Sequence, residues 1–200
     1  MKKLIALFLS SLLALITIPA LAMTAQEIAD HLDRSSYNST PDAVYWEAFD
    51  RTNPVPFGSM IWYKSSPIDK AEAYVEMKVL EVLRGEEANK LAISKNRYND
   101  EPGEGEEYIY VKIGVSMQSS DANRKIKTSS YGFNFVGSTG LVYKRDLAAG
   151  FDDEVAMFAG AAGELEFSQI IKVDDVPLLL YDDSVWFNLT ETTTEETSTP

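Results

Sequence analysis

Carboxylates are the reactive groups this chain holds in quantity: 31 Asp and Glu against 18 Lys and Arg, with one histidine and no cysteine. Several are clustered. Asn99, Asp100, Glu101 and Glu104 share a turn with Pro102, Gly103 and Gly105, while Asp152-Asp153-Glu154, Asp174-Asp175 and Asp182-Asp183 fall in other breaks of the hydrophobic pattern. Two kinds of chemistry use such groups. A glycosidase needs two carboxyls a fixed distance apart in a cleft, one with a raised pKa. Calcium takes roughly six to eight oxygen ligands, commonly loop carboxylates and carbonyls. Asp100, Glu101, Asp152 and Asp153 are the residues calcium would use here, although neither cluster has EF-hand spacing. Acidic residues in turns are more often simply solvated, and hydrolysis by them is the least favoured reading.

Other catalytic constellations are poorly served. His31 is the one residue that could act as base in a Ser-His-Asp triad, it lies ahead of the patterned part of the chain, and no G-x-S-x-G elbow accompanies it. One histidine and no cysteine leave no zinc ligand set and no thiolate nucleophile. The chain therefore reads as non-enzymatic. Aromatic residues make a better case for recognition, because Tyr and Trp join a large apolar body to a polar handle. Tyr108 and Tyr110 lie on the less apolar face of their strand, Trp62 at a strand start, and Trp186 alternates away from Val185 and Phe187. These four are the expected ligand contacts, with the loop 99–107 beside them.

The elements that must position these residues are strands. A two-residue period runs through Tyr74–Val82, with the apolar face on odd positions up to Val79 and on even positions from Leu80. That slip predicts a bulge. Ile109, Val111, Ile113, Val115 and Met117 form the cleanest alternation in the chain, opposite Tyr108, Tyr110, Lys112, Gly114 and Ser116. Tyr131–Val136, Leu141–Tyr143, Val155–Phe158, Glu164–Ile171, Leu178–Tyr181 and Val185–Leu189 are further short strands, and 141–143 reads as a hairpin return from the Ser138-Thr139-Gly140 turn. The segment 118–128 reads as a polar loop, and 34–58 as irregular chain pinned by Tyr45, Trp46 and Phe49. Two short helices are expected. One follows the capping-box pair Thr24 and Glu27; the other spans Glu86–Ser94 with Ala88, Leu91 and Ala92 on one side. Many short strands with turn signals every ten or so residues predict an all-β sandwich or barrel.

Residues 1–22 have the make-up of a secretory signal peptide. Lys2 and Lys3 precede an apolar run, Leu4 to Ile18, and Pro19 and Ala20-Leu21-Ala22 supply the end and the cleavage site. No second long apolar run follows, so a mature chain from Met23 is expected outside the cytoplasm with no membrane span. Loss of the two lysines takes the net charge from −13 to −15. Such a surface repels phosphate backbones, so nucleic acid is excluded as a partner. Hydrophobic residues make up 45% of the 200, enough for a real core without disulfides. The last residues, 190–200, are almost all Thr, Glu and Ser and read as a solvated tail.

Arg51-Thr-Asn-Pro54, L-R-G-E-E-A at 83–88, N-R-Y-N-D-E-P-G-E-G-E-E-Y-I at 96–109, F-A-G-A-A-G-E-L-E-F at 158–167 and W-F-N-L at 186–189 occur in a recognisable order. Together they resemble an immunoglobulin-like domain family of bacterial surface lipoproteins and secreted proteins, a domain of unassigned function similar in fold to a secreted mycobacterial antigen. The resemblance spans roughly residues 51–189. It implies an immunoglobulin-like β-sandwich and an extracytoplasmic or cell-surface home, and no catalytic residue. Met23 stands where lipobox-bearing relatives have Cys, which favours release over lipid anchoring. The organisation expected is a signal peptide (1–22), an N-terminal helix and irregular segment (23–58), the sandwich (59–189) and the tail (190–200). The expected role is a non-catalytic recognition or adhesion module for an extracellular protein, an envelope component or a glycan. A calcium-dependent binding module using the acidic loops is the alternative.

Overall fold

The computed structural model describes residues 44–45, 49–65, 73–119 and 121–190. The signal-peptide pattern, the capping-box helix with His31, Trp46 and the tail beyond Thr190 lie outside the described residues. Within them the fold is all-β with one longer helix. The elements are β1 (Val44–Tyr45), β2 (Met60–Ser65), β3 (Ala73–Arg84), α1 (Gly85–Lys95), β4 (Glu106–Ser119), β5 (Lys125–Ser129), β6 (Phe133–Val136), β7 (Glu154–Phe158), β8 (Ala162–Lys172), β9 (Leu178–Tyr181) and β10 (Val185–Asn188), with a 3-10 turn at Ser130–Gly132. They form a five-stranded sheet in the order β1-β2-β3-β4-β8, a three-stranded sheet β10-β9-β6 and a ribbon β5-β7. Pairing is antiparallel throughout except between β1 and β2.

The period-two pattern has its physical cause in the core. Met77, Val79, Ile109, Val111, Ile113, Leu165 and Phe167 on one face of the large sheet share a buried cluster with Phe133, Phe135, Leu179, Val185 and Phe187 of the small one. Phe167 joins the two layers, its ring 5.3 Å from that of Phe133 and 5.9 Å from that of Phe135. Each large apolar side chain buried this way contributes about 1.5–3 kcal/mol relative to exposure. A phase error in a strand would turn these residues to solvent, which is how the pattern fixes register.

The bulge expected in β3 is present. Val79 pairs with Ile113 but Glu81 with Lys112, so β3 carries one extra residue. Leu80 lies against Gly114 on the outer face and is 39% exposed. The even-numbered apolar phase therefore starts at Val82, which packs on the core, and not at Leu80.

Two stretches expected to be loops belong to the fold. Lys125–Ser129 is a strand because Ile126 and Thr128 turn inward while Lys125 and Lys127 stay exposed; with a single aliphatic residue, its alternation is faint in sequence. Val44–Tyr45 pairs with β2, and Val55 is fully buried, donating its N–H to Trp186 O (2.7 Å) and accepting from Asn188 N (2.8 Å). Val44–Tyr45 thus extends the edge of the large sheet, and Val55 that of the small one.

Helix α1 leaves β3 without a linker and lies on the outer face of the large sheet. Ala88 and Ala92, four positions apart and both fully buried, let it approach Tyr108, Tyr110 and Phe151. Glu86 and Glu87 in its first turn and Lys95 in its last suit the helix dipole. Among the described residues no helix is long and apolar enough to cross a membrane.

Candidate functional site

Three of the four aromatic residues expected to contact a ligand are buried. Tyr108 is 2% exposed and Tyr110 3%, because α1 covers the face on which they lie. Tyr108 donates its hydroxyl to Asp100 O (2.7 Å) and its N–H to Asn89 Oδ1 (2.8 Å). Burial, then the Asp100 carboxylate, pushes that hydroxyl's pKa up. Tyr110 packs on Phe151, and burial, then Glu166, raises its pKa strongly. Trp62 is 8% exposed, edge-on to Tyr74. Only Trp186 keeps the placement read from the sequence, half-buried on the outer face of the small sheet opposite Leu180.

The calcium residues are not brought together. Among the described residues no three acidic or histidine side chains gather as a metal could use them. The loops themselves do meet: Asn99 accepts from Ala149 N (2.8 Å) and donates to Ala149 O (3.1 Å). Their backbone serves the fold, since Asp100 O is taken by Tyr108, Asp152 O accepts from Glu166 N (2.8 Å) and Asp153 O from Ser130 N (2.7 Å). Asp100, Glu101, Asp152 and Asp153 therefore decorate structural loops and do not form one ligand set.

The outer face beside α1 holds the densest charge network. Glu166 accepts from Lys95 (2.9 Å) and lies 3.3 Å from Lys112, which also approaches Glu164 (3.6 Å) and Glu81 (3.9 Å). Burial opposes ionisation of Glu166, yet the bonds from Lys95 and Lys112 hold its pKa below the ordinary value. Both lysines of this network have carboxylate partners, and the network ties α1 to β4 and β8.

A different arrangement stands at the end of the small sheet, where a cleft of about 440 Å³ opens between two turns. One wall is the turn Gly137–Gly140, closed by Gly140 N to Gly137 O (2.8 Å), and its return along β6, where Tyr143 N reaches Phe135 O (2.9 Å). The hairpin expected here exists, but its return makes only the bridge Val136–Val142. The other wall is the end of β8 and the turn that leads into β9, with Lys172, Asp174 and Asp175.

Asp175 holds the walls together. Its Oδ2 accepts from Tyr143 Oη (2.6 Å) and its Oδ1 from Ser138 N (2.9 Å). The approach is close enough to require glycine at 137, where a Cβ would stand 2.5 Å from Oδ2. Burial works against the charge, but the bonds from Tyr143 and Ser138 win and hold the carboxyl at about 2. Burial, then the bond to Asp175, raises the Tyr143 hydroxyl. A carboxylate so firmly ionised, with both oxygens occupied, is a structural clamp and a poor proton donor. Two exposed aliphatic residues line it, Leu141 (75%) and Val142 (58%), and Val173 and Val176, adjacent in sequence to its lining residues, are exposed as well. Lys144 and Lys172 line the cleft and make no ion pair among the described residues. The sequence offered one faint signal for this site, two adjacent apolar residues at 141–142 that break the alternation just after a turn.

Comparison with protein-family models, curated proteins and solved structures yields no match.

Proposed function

We propose that the protein is a non-catalytic recognition or adhesion module that works outside the cytoplasm and is built as an immunoglobulin-like sandwich. The observation that carries this reading is the cleft between residues 137–144 and 172–176. It has exposed aliphatic residues and two lysines that make no ion pair among the described residues, and Asp175, the carboxylate that spans it, is spent on holding its walls. Exposed apolar residues grouped around a concavity mark interaction sites more often than scattered ones do. Two facing sheets with one shared core support the sandwich, and the strand-motif resemblance supports the immunoglobulin type. The signal-peptide pattern of residues 1–22 supports the location. A partner protein, an envelope component or a glycan fits this role.

Panning an unbiased peptide library and a glycan array tests it, with the wild type set against a Leu141→Asp/Val142→Asp variant. Ligands retained by the wild type and lost by the variant are the expected result. Equal retention by both, or none by either, would sink the assignment of recognition to this cleft. Mass spectrometry of the exported protein checks the location: a chain starting at Met23 is expected, and an uncleaved cytoplasmic chain overturns it.

A further inference from the structure

Helix α1 covers one half of the outer face of the large sheet, up to the charge network of Lys95, Lys112 and Glu166. The half beyond that network is built differently. Met60, Lys78, Gly114 and Glu164 pair in one row across β2, β3, β4 and β8, and Leu80, unpaired at the bulge, lies over Gly114. A groove of about 210 Å³ runs along this row and the next, where Ser116 pairs with Ala162. Its floor is low because Gly114 and Ala162 carry little or no side chain. Its apolar walls stand open, with Met60 42% exposed and Leu80 39%.

One segment of the sequence has the pattern that sits on such a face. Helix α1 meets the sheet through Ala88-x-x-Leu91-Ala92, where both alanines are fully buried and Leu91 packs beside them. Ala25-x-x-Ile28-Ala29 repeats that spacing, Leu32 continues it by one more turn, and Thr24 and Glu27 supply the capping-box pair. Small residues four positions apart let a helix backbone come close, and the aliphatic residues beside them fill the gap.

Topology delivers this segment to the groove. β1 runs parallel to β2 with Val44 opposite Ile61, so the chain that enters β1 arrives beside Met60, at the groove's end. Residues 34–43 form the tether, and extended they span up to about 33–36 Å. A helix over 24–33 is about 15 Å long, and four strands lie about 14 Å across. The tether therefore reaches and the helix fits. Undocked, Ile28 and Leu32 would face water together with Met60 and Leu80; docking buries both sets at once. The short tether also holds the segment over the groove at an effective concentration in the millimolar range, which favours it over a second copy.

We propose that residues 24–33 dock as a second helix in this groove, with Ala25, Ile28, Ala29 and Leu32 set against Met60, Leu80, Gly114 and Ala162. Both halves of the outer face then carry a helical cover, and the folded unit begins at Thr24. This contact is separate from the cleft at the end of the small sheet.

The chain has no cysteine, so introduced pairs report the contact without background. In the exported protein, Leu32→Cys/Met60→Cys and Ile28→Cys/Leu80→Cys are each expected to close a disulfide within one chain, since that bond needs Cα atoms within about 7 Å. Ile28→Cys/Leu141→Cys, whose second site is 75% exposed at the other cleft, is expected to close at least about tenfold more slowly. Hydrogen exchange gives a second measurement without cysteine. The amides of 24–33 are expected to be protected by about tenfold or more, and Met60→Asp/Leu80→Asp to remove that protection while leaving that of β4 unchanged. The proposal is overturned by groove pairs that close no faster than the control pair, or by disulfides that join two chains, which would seat a second copy in the groove. It is equally overturned by amides of 24–33 that exchange as in an unstructured peptide or that stay protected in the Asp variant.

Discussion

Two surfaces of this protein combine aromatic rings with charge, and they are built on opposite terms. On the outer face of the large sheet, Tyr108 and Tyr110 lie under α1, and Glu166 is held by Lys95 and Lys112. At the end of the small sheet, Tyr143 and Asp175 support a cleft whose apolar rim is open and whose lysines are unmatched. A tyrosine beside a carboxylate is common to both. Coverage and pairing differ: at α1 the rings are buried and both lysines meet carboxylates, whereas at the cleft Asp175 is bonded and Lys144 and Lys172 make no ion pair among the described residues. Buried polar groups must be paired, while exposed ones can be left for a partner. Residue type alone does not separate a structural cluster from a recognition surface; the cover does.

Removing the cover's anchor is the strongest way to sharpen this contrast. Tyr110→Ala should cost about 3–5 kcal/mol, as deletion of a buried aromatic ring does, and a drop in the denaturant midpoint would register it. A loss under about 1 kcal/mol would mean that α1 is not packed as described. Next in size, Glu166→Gln should cost about 1–3 kcal/mol, because Lys95 and Lys112 lose their common acceptor; hydrogen exchange should show α1 opening first.

At the cleft the effects should be smaller and pH-marked. Asp175→Asn should cost about 1–2 kcal/mol near neutral pH. The folded carboxyl sits at about 2, below its ordinary 3.8, so its stabilisation is complete above the ordinary value and is lost as pH falls through about 2. The gap between wild type and variant should therefore close between about pH 5 and 2 in urea titrations. A gap that does not vary with pH would show that the carboxylate charge plays no part in the clamp. Smallest of all, Val142→Ser should move stability by no more than about 0.5 kcal/mol. A larger loss by calorimetry would place Val142 in the structure and not on a contact surface.

Much of the architecture was legible in the residues. The alternation of Ile109 to Met117 marks β4, the phase slip near Val79 marks the bulge, and Ala88 with Ala92 marks the buried side of α1. Positions were misread where the period carried little hydrophobicity, as at Lys125–Ser129, or where a short apolar segment joined the core from outside any strand, as at Val55. The functional residues were less legible. Tyr108 and Tyr110 alternate just as residues on an open polar face would, and nothing local says that a helix 20 positions earlier folds back over them. Tyr143 and Asp175, 32 positions apart, read separately as a strand end and a breaker.

The sequence by itself determined most of the strands, the face each of these turns inward, the acidic balance and the want of a thiol or a second histidine, because these follow from local period and composition. The tertiary structure decided which face is covered, which charges are matched and where two turns meet to leave a cleft. Those outcomes depend on pairing between distant segments, and a period of two residues carries no information about what packs on the other side of a sheet.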